Sequence, residues 1–340
     1  MRRISSTPDA RLAGLLLAAG LIGLAATGSP ALAAEPVAVP RPVAAGIWLI
    51  AGGLAPDREP DGNTVILETR AGLVVFDTGR HAAQRRAIEA FASSRHVPII
   101  AIVNSHWHLD HVSGNADLKR AYPTVRVYAS SAIDGALKGF LARSAAGSRA
   151  ALTSRTLPTE TREDILGDLA TVENPVALRP DVVISRPRTL RLGGRTLEVR
   201  LAPDAATAGD VWIFDRATGT AVVGDLVTLP APFLDTACPK GWQVALDQIW
   251  ATPFDQVIPG HGAPMARAQL AIYRQAFADL IACSGSTRTA KACATDWAET
   301  IAPLLSGGPR ERAMAEGMSA YYVNDVLRPH GGRSADCQAA

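Results

Sequence analysis

The sequence has no marked excess of charge of either sign. Only 19% of its 340 residues are charged, and the formal net charge is +2. The first 33 residues contain three arginines and one aspartate, so the rest of the chain has a net charge of zero. A neutral chain does not attract phosphate backbones electrostatically. The composition therefore gives no reason to expect nucleic acid as a partner.

Two further features are missing from the sequence. None of its four cysteines shows the CxxC spacing that is typical of a structural zinc site. No internal repeat and no second compositional regime is detectable, so one globular domain of about 200 to 300 residues accounts for most of the chain.

The first 33 residues have the order of a cleaved secretory signal. Arg2 and Arg3 precede an apolar core at residues 12–26, and Ala31-Leu32-Ala33 supplies a small-residue cleavage site. The alternative is an uncleaved membrane anchor, but the core is shorter than the ~20 residues that span a bilayer. We predict a periplasmic or secreted protein without stable membrane insertion. The twin arginines alone leave Sec and Tat export open.

Export makes disulfide bonds chemically possible for the cysteines. Four cysteines allow three pairings. Cys283 and Cys293 are close in sequence within helix-like segments, which favours the pairs Cys283 with Cys293 and Cys238 with Cys337. The alternative is that some or all of the thiols are free.

The hydrophobic pattern predicts two series of strands, each followed by helices. Residues 34–45 are predicted as a linker, 46–283 as the main domain and 284–340 as a helical C-terminal extension. A polar segment at about 144–171 is predicted as a partly helical surface excursion near the site entrance. The predicted helices that follow the second series of strands are residues 238–250, 265–282 and about 289–327. Such an order suits two sheets covered by helices on their outer faces.

Histidine and aspartate cluster directly after the buried strand predicted at residues 98–104. His106, His108, Asp110 and His111 fall within six residues. Side chains two positions apart in extended chain point the same way, so His106 and His108 can bind one metal ion while Asp110 and His111 face a second. Imidazole and carboxylate ligands suit Zn²⁺ best, with Mn²⁺ or Fe²⁺ possible. The alternative is a solvated histidine-rich loop.

The H-x-H-x-D-H motif, followed by Val-Ser-Gly-Asn, resembles the metal-binding signature of the metallo-β-lactamase superfamily. Three further landmarks occur in the family's order, at Val-Phe-Asp77-Thr-Gly, Val-Gly-Asp225-Leu and Ile-Pro-Gly-His261-Gly. The resemblance implies an α/β fold, the four-layer αββα sandwich, here with a helical C-terminal extension. It also implies that Asp225 bridges two metals and that His261 is the last ligand. Asp77 is expected to accept a hydrogen bond behind the ligands rather than to bind metal.

One landmark of the family is absent. Where the family normally has another ligand histidine, this chain has Ala206, and no histidine occurs between His111 and His261. The remaining ligand groups are His106, His108 and Asp225 at the first site, and Asp110, His111, His261 and the shared Asp225 at the second. We therefore predict one tightly held Zn²⁺ and a second, weaker position.

The resemblance implies hydrolysis of an ester, lactone, thioester or amide bond in a small-molecule substrate by a metal-bound hydroxide. Asp110 would orient the attacking water besides binding metal, and the missing histidine argues against a true β-lactamase. The layout is similar to exported zinc metallohydrolases associated with quinoprotein dehydrogenase systems, which implies a link to such periplasmic enzymes. The alternative is a non-catalytic metal-binding accessory protein of the periplasm, given Ala206.

Several other residues have two interpretations. Trp107 and the apolar loop at residues 229–234 are predicted either to line a substrate pocket or to pack in the interior. Four more residues are predicted to be structural or on the surface: His81, His96, Trp242 and His330.

Overall fold

A computed structural model describes residues 39–337. The predicted signal peptide, residues 1–33, lies outside the described residues. Within this range none of the helices combines the length and the hydropathy that a bilayer crossing requires.

The first sheet contains seven strands in sequential order, antiparallel from β1 to β4 and parallel from β4 to β7. Its strands are β1 (Arg41–Ala44), β2 (Ile47–Ile50), β3 (Thr64–Thr69), β4 (Gly72–Phe76), β5 (Ile99–Val103), β6 (Arg126–Ala129) and β7 (Val182–Val183). The prediction of a linker at residues 34–45 is wrong for β1. Pro42 is tolerated there because β1 is an edge strand, on which a missing N–H does not disrupt the sheet.

The second sheet has six strands in the order β13-β12-β11-β10-β9-β8, with β11 and β12 parallel and the other neighbours antiparallel. Its strands are β8 (Arg188–Leu192), β9 (Arg195–Pro203), β10 (Gly209–Asp215), β11 (Thr220–Thr228), β12 (Gln256–His261) and β13 (Met265–Ala266). Strand β13 corrects the prediction of a helix from residue 265. Met265 and Ala266 pair with β12, and the helix begins at Arg267.

Eleven α-helices lie within the described range. They are α1 (Ala82–Arg95), α2 (Leu109–Val112), α3 (Asn115–Ala121), α4 (Ile133–Lys138), α5 (Phe140–Ala151), α6 (Thr159–Val172), α7 (Pro175–Leu178), α8 (Pro239–Ala251), α9 (Arg267–Ser284), α10 (Ala290–Thr300) and α11 (Gly308–Tyr321). A π-helical turn, Tyr322–Leu327, continues α11. The helical region predicted at about residues 289–327 is interrupted between α10 and α11, where Pro303 and the pair Gly307-Gly308 disfavour a helix.

The two sheets pack face to face between two outer helical layers. Val74 and Phe76 of β4 belong to one buried cluster with residues of β10, whereas Leu73 and Val75 join a cluster with α1. Successive strand residues point to opposite faces, so one strand supplies both layers of the core. The predicted four-layer arrangement is confirmed.

The C-terminal helices pack against the outer face of the second sheet. Trp297 of α10 shares a buried cluster with Trp242 of α8. Within the described range, Cys238 is bonded to Cys337 and Cys283 to Cys293, which are the pairs that the sequence favours. The domain boundary predicted between residues 283 and 284 falls at the end of α9 and stays a prediction.

Candidate metal centre

The clustered histidines and aspartates reach one place from three chain segments. His106 and His108 lie in the loop after β5, and α2 places Asp110 and His111 one turn further. Asp225 lies within β11, and His261 is the last residue of β12. Because β11 and β12 are parallel neighbours in which Gly224 pairs with Pro259, Asp225 and His261 lie near the same end of the second sheet.

Four potential ligand atoms lie close to one another. His111 Nε2 lies 3.3 Å from His261 Nε2, 3.4 Å from Asp110 Oδ2 and 3.2 Å from Asp225 Oδ1. His261 Nε2 lies 2.9 Å from Asp110 Oδ2 and 3.6 Å from Asp225 Oδ1. Tetrahedral ligands about 2.0–2.1 Å from a zinc ion are about 3.3 Å from one another. The spacing of these atoms therefore fits a tetrahedral metal site.

A second group of donors lies beside the first. The ligand atoms of His106, His108 and Asp225 all lie within 4.8 Å of one another. His106 Nε2 is 3.7 Å from Asp225 Oδ2, and this nitrogen is buried without a hydrogen-bond partner among the described residues. Because Asp225 presents Oδ1 to one group and Oδ2 to the other, its carboxylate can be shared by two ions.

Asp77 supports two of the histidines from behind, His111 directly and His106 through Ser105. His111 Nδ1 donates to Asp77 Oδ2 over 2.8 Å. His106 Nδ1 donates over 2.8 Å to Ser105 Oγ, which donates over 2.7 Å to Asp77 Oδ2. These bonds leave the Nε2 lone pairs of both rings directed into the site, as metal binding requires. Asp77 thus accepts hydrogen bonds behind the candidate ligands, which is the geometry expected from the sequence. Ser105, which connects His106 to Asp77, was not predicted from the sequence.

Thr236 has the same role for His108. His108 Nε2 donates over 3.0 Å to Thr236 Oγ1, which donates over 2.9 Å to the backbone oxygen of Ala206. With Nε2 engaged, Nδ1 is the ring nitrogen of His108 that is available to a metal. Thr236 is separated from His108 by 128 residues and belongs to no motif, so the sequence carries no signal for this contact.

The position of the absent histidine stays without a ligand. Ala206 is buried, and no His, Cys, Asp or Glu of residues 39–337 joins the first group in its place. Asp210 lies nearby and accepts from the backbone N–H of Thr207, and burial raises its pKa well above the usual range. The first group therefore offers three candidate protein ligands rather than four.

The electrostatics of the two groups differ. Burial lowers the pKa of His106 well below its usual value and that of His108 to about 4, so both rings are neutral at pH 7. Burial acts in the same direction on His111, but Asp225 and Asp110 outweigh it and raise the His111 pKa well above its usual value. The second group therefore stabilises positive charge, as a bound divalent cation requires.

Two glycines allow the backbone to approach the ligands closely. A Cβ atom on Gly260 would lie 1.9 Å from Asp225 Oδ1, and one on Gly62 would lie 2.4 Å from His111 Cε1. Both distances are shorter than any real contact of a Cβ atom. Any other residue at either position would displace a ligand side chain.

The remaining residues singled out from the sequence lie around the cluster. Trp107 and Phe233 flank the His108 ring, with centroid distances of 4.6 Å and 4.9 Å. The other four histidine and tryptophan positions make contacts elsewhere: His81 with Asp61 and Asp164, His96 at the end of α1, Trp242 with Leu226 and His330 with Val326.

The sequence profile of the metallo-beta-lactamase superfamily matches residues 58–261. The chain belongs to this superfamily. The resemblance drawn from the H-x-H-x-D-H motif is thereby confirmed, and with it the fold. The chain is therefore a metallo-hydrolase of this fold. Membership of the superfamily does not specify its substrate.

Individual relatives are distant or match only part of the chain. A hydroxyacylglutathione hydrolase from Gloeobacter violaceus is 49% identical over 41 residues, which are 12% of this chain and 16% of that protein. The chain thus spans only a small part of that curated relative's length.

Two solved structures resemble the overall fold. The stereoselective inverting sec-alkylsulfatase Pisa1 from Pseudomonas sp. has a TM-score of 0.56 and 22% identity, covering 84% of this chain and 50% of that one. The DIM-1 metallo-beta-lactamase has a TM-score of 0.52 and 16% identity, covering 71% and 96%. At these identities the likeness shows the fold alone.

Proposed function

We propose that the protein is an exported metal-dependent hydrolase that cleaves an ester, lactone, thioester or amide bond in a small molecule. The observation that carries the proposal is the tetrahedral spacing of four ligand atoms from Asp110, His111, Asp225 and His261. The partial likeness to a hydroxyacylglutathione hydrolase supports keeping thioesters among the candidate substrates.

We assign one tightly held Zn²⁺ to this second group. A second, weaker Zn²⁺ would be held by His106, His108 and the shared Asp225. Three protein ligands with an open fourth position are a known catalytic zinc arrangement, so the loss of a ligand at Ala206 weakens the first site without making catalysis impossible.

Bound zinc would lower the pKa of a water molecule towards ~7 and polarise a carbonyl group. The chain's own residues then have three tasks. Asp77 holds the rings of His106 and His111 in the tautomers that bind metal. Asp110, whose carboxylate lies 2.9 Å from His261 Nε2, is placed to accept a hydrogen bond from the attacking water and orient it. The surrounding buried residues exclude other water and so strengthen these interactions.

Export and partnership are also proposals. The signal-like residues 1–33 and the two disulfide bonds support a periplasmic or secreted location, because disulfides persist in oxidising compartments. A functional link to periplasmic quinoprotein dehydrogenases stays a prediction from the sequence.

Hydrolysis by the purified, zinc-loaded protein tests the proposal. We expect cleavage of at least one substrate in a panel of p-nitrophenyl esters, thioesters, lactones and a chromogenic β-lactam, with activity lost on chelation and restored by zinc. Replacing His108 by alanine removes a ligand of the open site and should lower kcat/KM by about 100-fold or more.

The matched control is His330→Gln, which alters a histidine on the surface. It should retain wild-type activity and zinc content. If the wild-type protein binds zinc but cleaves nothing in the panel, the proposed function is wrong and the accessory protein is the better interpretation.

A further inference from the structure

Four aromatic side chains, of which Trp107 and Tyr322 are buried, form a series of ring contacts beside the metal centre. Trp107 lies against Phe140 with ring centroids 5.6 Å apart, and Phe140 lies 6.2 Å from Phe233. Phe233 in turn lies 6.1 Å from Tyr322. We refer to these four residues, Trp107, Phe140, Phe233 and Tyr322, as the aromatic wall. Two of its members touch His108, so the wall begins at a ligand of the open metal site.

The wall is built from distant parts of the chain. Trp107 belongs to the ligand loop, Phe140 begins α5, Phe233 follows β11 and Tyr322 opens the π-helical turn after α11. Phe140 and Phe233 are only half-buried, so part of each ring is open to a ligand. Substrate-binding sites are lined mainly by hydrophobic and aromatic side chains, so partly exposed rings beside a reactive centre are candidate substrate contacts.

The C-terminal segment is fixed to this surface by polar contacts and a covalent bond. The hydroxyl of Tyr321 donates to Asp235 Oδ1 over 3.1 Å, and Asp235 directly precedes Thr236, the hydrogen-bond partner of His108. The disulfide between Cys238 and Cys337 joins the same loop to the end of the chain. The position of Tyr322 is therefore defined relative to the metal site.

One acidic residue, Asp235, lies beside the wall. Burial raises the pKa of Asp235 to about 6, so its carboxyl group is ionised at neutral pH. The cationic side chain of Arg80, which interacts electrostatically with Asp110, is already paired with Asp168. An anionic substrate would meet Asp235 here, whereas an uncharged apolar group would meet aromatic rings.

We propose that the aromatic wall binds an uncharged, apolar acyl group of the substrate, and that it selects aromatic or large aliphatic acyl groups over small or anionic ones. The proposal rests on the proposed hydrolase function and names its substrate class. The carbonyl carbon would lie at the metal centre and the apolar group would extend from His108 towards Phe140 and Phe233.

Three p-nitrophenyl esters test the selectivity of the full-length, zinc-loaded protein: the acetate, the phenylacetate and the anionic hemisuccinate. Each kcat/KM is divided by the rate constant for hydroxide cleavage of the same ester, which removes intrinsic reactivity. We expect the normalised kcat/KM of the phenylacetate to exceed that of the acetate by about 10-fold or more. Even one additional methylene in an apolar pocket changes kcat/KM by about that factor. The hemisuccinate should be the poorest of the three.

Two variants test whether the wall causes this preference. Phe233→Ala and Phe140→Ala should each lower the ratio of phenylacetate to acetate to about 3 or less, with zinc content per chain unchanged. The matched control is Trp250→Ala, which removes a half-buried aromatic residue of α8 that stacks on Arg267 and should leave the ratio as in the wild type. The proposal would be overturned by a ratio near one in the wild-type protein or by a preference for the hemisuccinate. It would also be overturned if both variants kept the wild-type ratio.

A binding measurement separates this proposal from the hydrolase function. Saturation-transfer NMR on metal-free protein should show contact with ethyl phenylacetate but not with ethyl acetate, and the signal should weaken in Phe233→Ala. If no ester is cleaved but this contact is present, the proposed hydrolase function is wrong and the proposed binding role of the aromatic wall is retained. If esters are cleaved but the contact is absent, only the proposed binding role of the aromatic wall is wrong.

Discussion

Thr236 links His108 to the position of the absent histidine. Its hydroxyl lies between His108 Nε2 and the backbone oxygen of Ala206. It therefore joins a metal-facing ring to the backbone of the position where the family normally has a ligand. A single hydroxyl thus fixes the tautomer of His108 and supports the weaker of the two proposed metal sites.

Replacing Thr236 by valine keeps the side-chain shape but removes the hydroxyl. We predict that the affinity of the first site falls by about 10- to 100-fold, the usual effect of losing such a supporting hydrogen bond, while the second site is unchanged. Titration of metal-free protein with Co²⁺ checks this, because the d–d absorption bands report each bound ion.

Thr236→Ser retains the hydroxyl and should restore the wild-type titration. If the valine variant binds its weaker Co²⁺ equivalent as the wild-type protein does, Thr236 has no part in positioning His108.

At the scale of elements, α6 contacts both the residue before α1 and the segment before β3. His81, just before α1, donates to Asp61 Oδ2 over 2.6 Å and contacts Asp164 of α6 over 3.0 Å. The next residue after Asp61, Gly62, donates its N–H to the backbone oxygen of Asp110 over 3.1 Å. The partly helical excursion predicted from the polar sequence at 144–171 thus contacts, at the backbone N–H of Glu59, the segment whose Gly62 bonds to the proposed ligand Asp110.

This contact makes stability depend on pH. Burial opposes protonation of His81, but hydrogen bonds to Asp164 and Asp61 raise its pKa to about 9. Since the unfolded value is about 6.5, the stabilisation is fully present below pH 6.5 and is lost as the pH rises through 9. We predict that His81→Gln lowers the free energy of unfolding by about 1–3 kcal/mol at pH 6 and by far less at pH 10.

Denaturant unfolding of metal-free protein at both pH values measures this difference. His96→Asn is the matched control, since His96 is exposed at the end of α1 with a φ of 54° that asparagine tolerates. A loss of stability in His81→Gln that is equal at pH 6 and pH 10 would show that the ion pairs do not contribute.

Some elements were predictable because their cause is local. The alternating faces of β4, and the ligand motif that follows β5, are determined by residues close in sequence. The edge strand β1 and the interruption between α10 and α11 were not predicted, because the first depends on pairing with β2 and the second on weak local signals. Ser105 could be singled out from the sequence only as the neighbour of His106. Nothing in the sequence indicated Thr236 or Tyr322, because their contacts near the site join residues far apart in the chain.

At the scale of the whole molecule, the fold brings the ends of both sheets to one place. The first sheet supplies the ligand loop after β5, and the second supplies Asp225 and His261 from adjacent parallel strands. The C-terminal region, joined by Cys238–Cys337, adds the last ring of the aromatic wall. The order of the family's landmarks along the sequence predicted this convergence, but the contribution of the C-terminal region required the structure.

The central claim is that Asp110, His111, Asp225 and His261 hold the tighter of two zinc ions. Anomalous diffraction at the zinc edge, from crystals of protein supplied with one equivalent of zinc, tests it most directly. The account predicts one strong peak about 2.0–2.2 Å from a ligand atom of each of these four residues, with at most a weak peak near His106 and His108. Two peaks of equal occupancy, or a stronger peak beside His106 and His108, would contradict it.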